Sequence, residues 1–342
     1  MRKIASALTA FLIILSLGPP AAAQESEQHR PYTGPVIDVH LHAFAADANG
    51  PAPNGICVGA AANLQYTGQE PWPVAMSRLS LDPPCEDPIR GPATDAEVLA
   101  QTIAQMERYD VTGILSSTAE EFATWSAAAS DRFMRGLSLN IRRDGDLSAE
   151  EAAAAYERGE FMVMAEVTNQ YSGVLADDPA FEPYWQVAAD RGIPVGIHLG
   201  VGPPGAPMLY PDFRAQSPLR MEEVLSRHPD LRVYLMHAGF PFADDVKALL
   251  YLYPQLYLDT GVLQIAAPRE EYYAFLEEIV RAGFGDRIMF GSDQMNWPGL
   301  IGEGIDAIND APFLTYEQKK AILYDNAARF FAPELEPLAA RD

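Results

Sequence analysis

The sequence of 342 residues has little positive charge, little cysteine and few long apolar segments. It contains 24 lysines and arginines against 47 aspartates and glutamates, which gives a formal net charge of −23. A field of this sign repels phosphate backbones and anionic lipid head groups, so nucleic acid and membrane surfaces are poor partners. Solubility is the simplest explanation for the charge, and a small-molecule substrate is the expected partner.

The long apolar run that the sequence does have lies at the amino terminus. Arg2 and Lys3 precede apolar residues 4–17, and residues 21–23 are the small residues typical of a cleavage site. This arrangement predicts a signal peptide, residues 1–23, and a periplasmic or secreted mature protein of one domain, residues 24–342. The run is too short to span a bilayer comfortably, and an uncleaved signal that acts as an anchor is the alternative.

The two cysteines, Cys57 and Cys85, lie in one proline-rich stretch. In an oxidising compartment such a pair predicts a disulfide. The alternative is a pair of free thiols that bind a metal, but their stretch of the sequence contains no neighbouring histidine.

Four of the six histidines end short apolar runs that read as buried β-strands. His40 and His42 are two residues apart, so they point to the same side of a strand and can approach one ion together. A single buried histidine is usually a hydrogen-bonded core residue. Imidazoles and carboxylates that end several strands instead predict a divalent-metal site, because zinc and related metals take these ligands. The predicted ligands are His40, His42, Glu166, His198, His237 and Asp293.

Strand and helix patterns alternate along the rest of the chain. Eight strand-like runs are apolar along their whole length, which favours burial on both faces. This predicts a (β/α)8 TIM barrel, in which the carboxyl ends of strands 1, 4, 5, 6 and 8 meet at one rim. A doubly wound open sheet is the alternative, but it would gather ligands from only a few strands. The predicted strands are residues 35–42, 113–117, 134–140, 161–167, 194–199, 231–237, 256–260 and 287–292.

Two long segments interrupt this alternation, and both follow strands that end in predicted ligands. Residues 43–92 form a predicted lid insertion after strand 1, and residues 200–218 follow strand 5. Loops of this length are usually functional in a compact domain, with a purely structural cover as the alternative. An extra helix after Thr315 ends the chain. The side chains predicted to contact substrate are Trp72, Arg78, Tyr171 and Trp297.

Several motifs, in this order, resemble the amidohydrolase superfamily, and specifically its amidohydrolase-related group, which includes the aminocarboxymuconate-semialdehyde-decarboxylase-like enzymes. The resemblance covers nearly the whole mature chain. It implies a distorted (β/α)8 barrel in which His40, His42, His198 and Asp293 bind a metal, and it leaves a homodimer open because relatives often dimerise. The motifs are IDVHLH at 37–42, IHLG at 197–200, MHAG at 236–239, FGSD at 290–293 and DNAAR at 325–329.

The resemblance implies either one or two metal ions, and the residue on strand 4 distinguishes the two cases. Two-metal members have a carboxylated lysine or a glutamate there, and this chain has Glu166. Glu166 either bridges two ions or pairs with a group such as His198, or an arginine, beside one ion. A buried carboxylate without a partner is costly, so a cation nearby is expected. Zinc is the expected metal, and manganese, iron and nickel also suit these ligands.

The predicted reaction is hydrolysis of a small carbonyl ester, lactone or amide by a metal-bound hydroxide, because a divalent metal lowers the pKa of its bound water to about 7. Asp293 would orient the nucleophile and transfer its proton. His237 would hold a second metal or stabilise the developing negative charge. The alternative is a one-metal decarboxylase or hydratase of an aromatic or unsaturated acid, a step that usually runs in the cytosol. A non-catalytic binding protein is the third reading, and the complete ligand set argues against it.

Overall fold

Ten strands form the framework of the structure, a computed structural model that describes residues 29–59, 67–141, 146–200, 202 and 213–339. Strands β2 and β3 make a separate antiparallel pair, and the other eight strands are parallel. In chain order the strands are β1 (Val36–His42), β2 (Gly55–Ile56), β3 (Ile89–Arg90), β4 (Val111–Ser117), β5 (Phe133–Leu137), β6 (Met164–Val167), β7 (Val195–His198), β8 (Val233–Met236), β9 (Leu256–Asp259) and β10 (Ile288–Met289).

The eight parallel strands close into a barrel. Strands β1, β4 and β5 pair in one run, and β6 to β10 pair in sequence order in another. A parallel bridge between Leu139 and Val167 joins the two runs on one side. On the other side, the amide of Val39 donates to the carbonyl oxygen of Phe290 at 2.9 Å. The predicted (β/α)8 TIM barrel is therefore confirmed, and the open-sheet alternative is wrong.

Helices follow the strands around the barrel. The helices Asp95–Arg108, Ala119–Ala128 and Ala149–Glu157 each begin with a capping box. In this motif, the side chains of a serine or threonine and of a glutamate three residues later each accept a hydrogen bond from the other residue's backbone amide. The helices are α1 (Trp72–Leu81), α2 (Asp95–Arg108), α3 (Ala119–Ala128), α4 (Ala149–Glu157), α5 (Glu182–Arg191), α6 (Glu222–Arg227), α7 (Ala243–Leu252), α8 (Leu263–Ala266), α9 (Arg269–Ile279), α10 (Gly299–Asn309), α11 (Tyr316–Lys320), α12 (Asn326–Phe330) and α13 (Ala332–Ala339).

Helix α10 is not predicted by the sequence pattern, because its glycines lower the intrinsic helix propensity. The structure shows what two of these glycines do. A Cβ atom on Gly302 would lie 2.8 Å from the Tyr109 hydroxyl oxygen, and one on Gly304 would lie 3.0 Å from the Phe290 ring. The glycines therefore allow α10 to pack closely against the end of α2, through Tyr109, and against the barrel, through Phe290.

Three apolar clusters stabilise the fold, and two of them build the barrel. The larger one lies between the strands and the surrounding helices. The smaller one contains residues from strands on all sides of the barrel, including Val39, Ile114, Met134 and Met236, so it fills the barrel interior. The C-terminal helices close this cluster through residues such as Phe330. The barrel is thus a packed core, and its strand ends are available to carry chemistry.

The described part of the insertion after β1 packs beside the loop that follows β10. Its two cysteines, Cys57 and Cys85, form a disulfide with a Cα–Cα distance of 5.9 Å. The Asn296 amide nitrogen donates to the Ala46 carbonyl oxygen at 3.0 Å and to the Asn54 side-chain oxygen at 2.9 Å. The insertion is therefore attached to the segment that also carries Asp293.

Some predictions concern residues that the structure does not describe. The predicted signal peptide, residues 1–23, and residues 203–212 of the second insertion lie outside the described ranges, so those predictions stay untested. Within the described ranges, no helix has both the length and the apolar character needed to cross a bilayer.

Candidate metal centre

The six predicted metal ligands converge at the carboxyl ends of the barrel strands, and all six are buried. They divide into two adjacent groups whose ligand atoms lie within 4.8 Å of one another inside each group. The first group is His40, His42 and Asp293, and the second is Glu166, His198 and His237.

The first group joins β1 to the loop after β10. Asp293 Oδ1 lies 3.0 Å from His42 Nε2 and 3.8 Å from His40 Nε2. The amide of Asp293 also donates to the carbonyl oxygen of His40 at 2.9 Å, so the backbone fixes the two elements side by side. Three potential ligand atoms therefore face a common point.

Glu166 connects the first group to the second. Its Oε2 atom lies 3.7 Å from His42 Nε2, and its Oε1 atom lies 3.7 Å from His198 Nε2. The rings of His198 and His237 are in contact, with centroids 4.2 Å apart. The Glu166 carboxylate thus lies between an imidazole of each group, and it would be one of the residues that hold a cation there.

The electrostatics of the pocket favour a bound cation. Burial opposes the charged form of His40, but the carboxylates of Asp293 and Asp259 outweigh it and raise the pKa of His40 to about 10. Burial also opposes ionisation of Asp293, yet His40 and His42 hold its pKa well below the usual range. Burial and the neighbouring His237 lower the pKa of His198, which keeps this imidazole neutral, as a metal ligand must be.

The arrangement fits a divalent metal by its donor atoms as well. His40 Nε2 is buried, has no hydrogen-bond partner within the described chain and lies 3.8 Å from Asp293 Oδ1 of the same group. A buried polar atom without a partner is costly, so such atoms mark a site for a ligand that the protein atoms do not supply. Imidazoles with carboxylates suit zinc, manganese, iron and nickel.

The backbone is unusual at two of the ligands. His237 (φ 62°) and Asp293 (φ 47°) both adopt left-handed conformations, which non-glycine residues seldom do. Strained conformations of this kind persist where the surroundings fix them, and they concentrate at functional sites. Strand β8 ends at Met236 for this reason, one residue before the predicted end.

Two acidic residues near the ligands are absent from the sequence-based site. Asp38 Oδ1 accepts from the amides of His40 and Ser292, both at 3.0 Å, and burial raises the pKa of Asp38 to about 7. Asp259 Oδ2 lies 3.1 Å from His40 Nδ1. Asp259 ends an apolar strand just as Asp293 follows one, so the strand-end pattern that predicts the ligands could also have found Asp259.

The four residues predicted to contact substrate lie in different surroundings. The Tyr171 hydroxyl lies 2.5 Å from His198 Nε2, at the site. Trp297 is only 2% exposed and packs in an apolar cluster with Ile265, so it serves as a core residue rather than an open contact surface. Arg78 forms an exposed ion pair with Glu70 at 2.7 Å, and its predicted contact with substrate stays a prediction. The Trp72 side chain is not described, so its predicted role stays open.

One further aromatic residue, Phe44, lies at the site and is not indicated by the sequence pattern. Phe44 follows β1, and its ring stacks on His42 with centroids 4.4 Å apart and an interplanar angle of 24°. Its side chain is 37% exposed, which is unusual for phenylalanine. The signal in the sequence was its position, two residues after His42.

The chain belongs to the amidohydrolase family, whose model matches residues 37–332. It is also similar to the protein fluG of Emericella nidulans, with 22% identity over 105 residues. That match covers 31% of this chain and only 12% of the fluG protein.

Solved structures share the fold. An uncharacterized TIM-barrel protein from Bordetella bronchiseptica has a TM-score of 0.59 and 18% identity, covering 87% of this chain and 99% of that one. A probable 2-pyrone-4,6-dicarboxylic acid hydrolase from Acinetobacter baumannii has a TM-score of 0.56 and 12% identity, and the match covers 87% of this chain and 100% of that one. A 5-carboxyvanillate decarboxylase from Novosphingobium aromaticivorans, with bound manganese, has a TM-score of 0.57 and 14% identity. The match covers 88% of this chain and 99% of that one. At these identities the likeness shows the fold alone.

Proposed function

We propose that this protein is a metal-dependent hydrolase of the cell envelope that acts on a small carbonyl ester, lactone or amide. The observation that carries the proposal is the position of the Glu166 carboxylate, with one oxygen 3.7 Å from His42 and the other 3.7 Å from His198. An acid between two ligand groups can bridge two ions. A two-ion site favours hydrolysis, because it can hold both the attacking and the departing oxygen.

The chain's own residues have defined tasks in this reaction. A divalent cation held by the six ligands would supply Lewis acidity and lower the pKa of a water molecule. Asp293 lies beside His40 and His42, and its carboxylate can accept a proton from the attacking water and return it to the leaving group. His237 Nδ1 lies 2.9 Å from the Gly261 carbonyl oxygen, which can only accept, so the ring carries its proton on Nδ1 and leaves Nε2 free to bind a ligand.

Aromatic side chains at both ligand groups support an apolar or aromatic substrate. Phe44 stacks on His42 of the first group, and Tyr171 contacts His198 of the second. A ring that is partly exposed beside buried ligands offers a flat apolar surface to a substrate. The Tyr171 hydroxyl adds one hydrogen-bonding group.

Export to the cell envelope belongs to the same proposal. It is supported by the signal-like residues 1–23 and by the disulfide between Cys57 and Cys85, since disulfides persist in oxidising compartments. Fractionation of the expressing cell, with antibody detection of the mature chain, tests this part. Recovery of the full-length chain in the cytosol would contradict it.

Two measurements test the reaction. Metal content per chain, by mass spectrometry of protein purified without chelators, is expected to be near two equivalents, and Glu166→Gln is expected to hold about one or fewer. Glu160→Gln is the matched control, because Glu160 forms an exposed pair with Arg158 away from the site. A panel of chromogenic esters, lactones and amides is then expected to be hydrolysed in proportion to bound metal.

The same panel should include aromatic carboxylic acids, with carbon dioxide release as the readout. The manganese-containing 5-carboxyvanillate decarboxylase shares the fold, and this makes the one-metal decarboxylase the runner-up. One equivalent of metal in the wild type, together with carbon dioxide release and no hydrolysis, would overturn the proposed function in favour of that alternative.

A further inference from the structure

Asp259 is a fully buried acid that contacts a predicted ligand of each group. It ends strand β9, and its carboxylate forms a third close cluster with His40 and His237. A buried carboxylate is costly unless donors surround it, so the question is which donors it has.

Both oxygens of Asp259 are engaged by protein donors. Oδ2 lies 3.1 Å from His40 Nδ1. Oδ1 accepts from the amide of His237 at 2.9 Å and from the amide of Gly261 at 2.8 Å. These contacts satisfy the carboxylate within the protein, which favours a supporting role over that of a third ligand group.

The contact with His40 determines which ring nitrogen can bind a metal. An ionised carboxylate only accepts hydrogen bonds, so His40 must carry a proton on Nδ1. In the neutral ring, the lone pair is then on Nε2, the buried atom that has no partner within the described chain and lies 3.8 Å from Asp293 Oδ1. Partners of this kind fix the orientation and basicity of ligating histidines.

The contact with His237 acts through the backbone. His237 adopts a left-handed conformation (φ 62°), and its amide hydrogen bond to Asp259 helps to hold that turn in place. One carboxylate therefore supports the imidazole of His40 in the first group and the backbone of His237 in the second.

We propose that Asp259 is a positioning residue that presents Nε2 of His40 and the His237 turn to the metal centre. The inference rests on the metal-binding part of the proposed function and is independent of which reaction follows. Since Asp259 is placed behind His40, on the side of Nδ1, its removal should weaken metal binding without removing a ligand.

The variant Asp259→Asn tests the positioning role of Asp259 with almost no change in side-chain volume. The asparagine oxygen can still accept from the two backbone amides, but its NH2 group then faces His40 Nδ1. Two donors cannot face each other, so neutral His40 should lose its Nδ1 proton and carry one on Nε2 instead. Zinc affinity, measured by competition with a chromogenic chelator, is expected to fall about 10- to 100-fold. The exposed Asp286→Asn is the control and should match the wild type.

A second measurement is made on the wild type and does not depend on whether Asp259→Asn folds. With only six histidines in the chain, 15N-histidine labelling gives a spectrum that single histidine variants can assign. The His40 Nδ1 proton is expected in both the metal-free and the zinc-loaded protein. Its absence from the wild type would overturn the inference, whether or not zinc binds.

Two results with Asp259→Asn would also overturn it. A zinc affinity within threefold of the wild type would show that Asp259 does not position the ligands. Loss of one zinc equivalent, with the His40 Nδ1 proton retained, would make Asp259 a ligand itself. If the wild type binds no zinc but shows the Nδ1 proton, the proposed function fails while the contact of Asp259 with His40 stands.

Discussion

Replacing Gly261 by alanine should displace His40 without removing any ligand. A Cβ atom at position 261 would lie 2.6 Å from His40 Nδ1, whereas ordinary contacts begin at 3.4 Å. The ring or the backbone must therefore move by roughly 0.8 Å. The backbone of Gly261 is tied through its amide to Asp259 and through its carbonyl oxygen to His237, so it cannot easily retreat.

His40 has little room on the other side. A Cβ atom on Gly291 would lie 2.8 Å from the Cβ of His40, so the two glycines enclose this residue. Functional ligands must be held within about 0.5 Å of their working positions, and the expected shift exceeds that tolerance. We expect Gly261→Ala to lose zinc affinity by at least about tenfold and to lower the free energy of unfolding by about 1–3 kcal/mol.

The assay is chelator competition for zinc together with urea unfolding of the metal-free protein. Gly285→Ala is the control, because the nearest atom to its Cβ would be at 3.6 Å and its φ of −60° suits any residue. A Gly261→Ala protein with wild-type zinc affinity and stability would refute the reasoning that His40 is held by close packing.

Three further predictions concern the site, the insertion and the pH dependence of metal binding. Asp293→Asn should fold normally and lose turnover by about 10²- to 10⁴-fold, as measured on the substrate found in the panel, because it removes the proton acceptor. Replacing Cys57 and Cys85 by serine should lower the free energy of unfolding in urea by about 3–4 kcal/mol, since the disulfide closes a loop with a sequence separation of 28. The raised pKa of His40, about 10, means that the metal-free imidazole is protonated at pH 7. Zinc must displace that proton, so zinc affinity should rise as the pH rises, by about tenfold per unit near neutrality, and calorimetry in buffers of different ionisation enthalpy should detect the released proton.

For each of these three predictions, one experimental result would contradict it. Near-normal turnover of Asp293→Asn would remove Asp293 from the proton-transfer step. A loss of less than about 1 kcal/mol in the double serine variant would mean that the insertion unfolds separately from the barrel. Zinc binding that is independent of pH between 6 and 8 would contradict the protonated state of His40.

The sequence predicts the barrel and the clustering of the candidate ligands because both depend on local patterns. Apolar runs predict the strands, and the two-residue spacing of His40 and His42 predicts that they face the same way. The parallel topology then brings distant strand ends such as those of His198 and Asp293 to one rim. The structure places these residues together as the pattern implies.

What the sequence does not predict depends on contacts between distant segments. Asp259 supports His40 across 219 positions of the chain, and no local pattern indicates that pairing. The burial of Trp297 under the insertion, and the pairing of Arg78 with Glu70, likewise arise only in the folded chain. The sequence does not single out Phe44, because an aromatic residue after a strand is usually part of the core.

The most direct test of the central claim is the metal content of the wild-type chain, beside that of a His198→Ala variant, after purification without chelators. We expect close to two equivalents of transition metal in the wild type and a clear loss in the variant. A wild-type protein that is folded, contains no transition metal and takes up none from added zinc or manganese would contradict it.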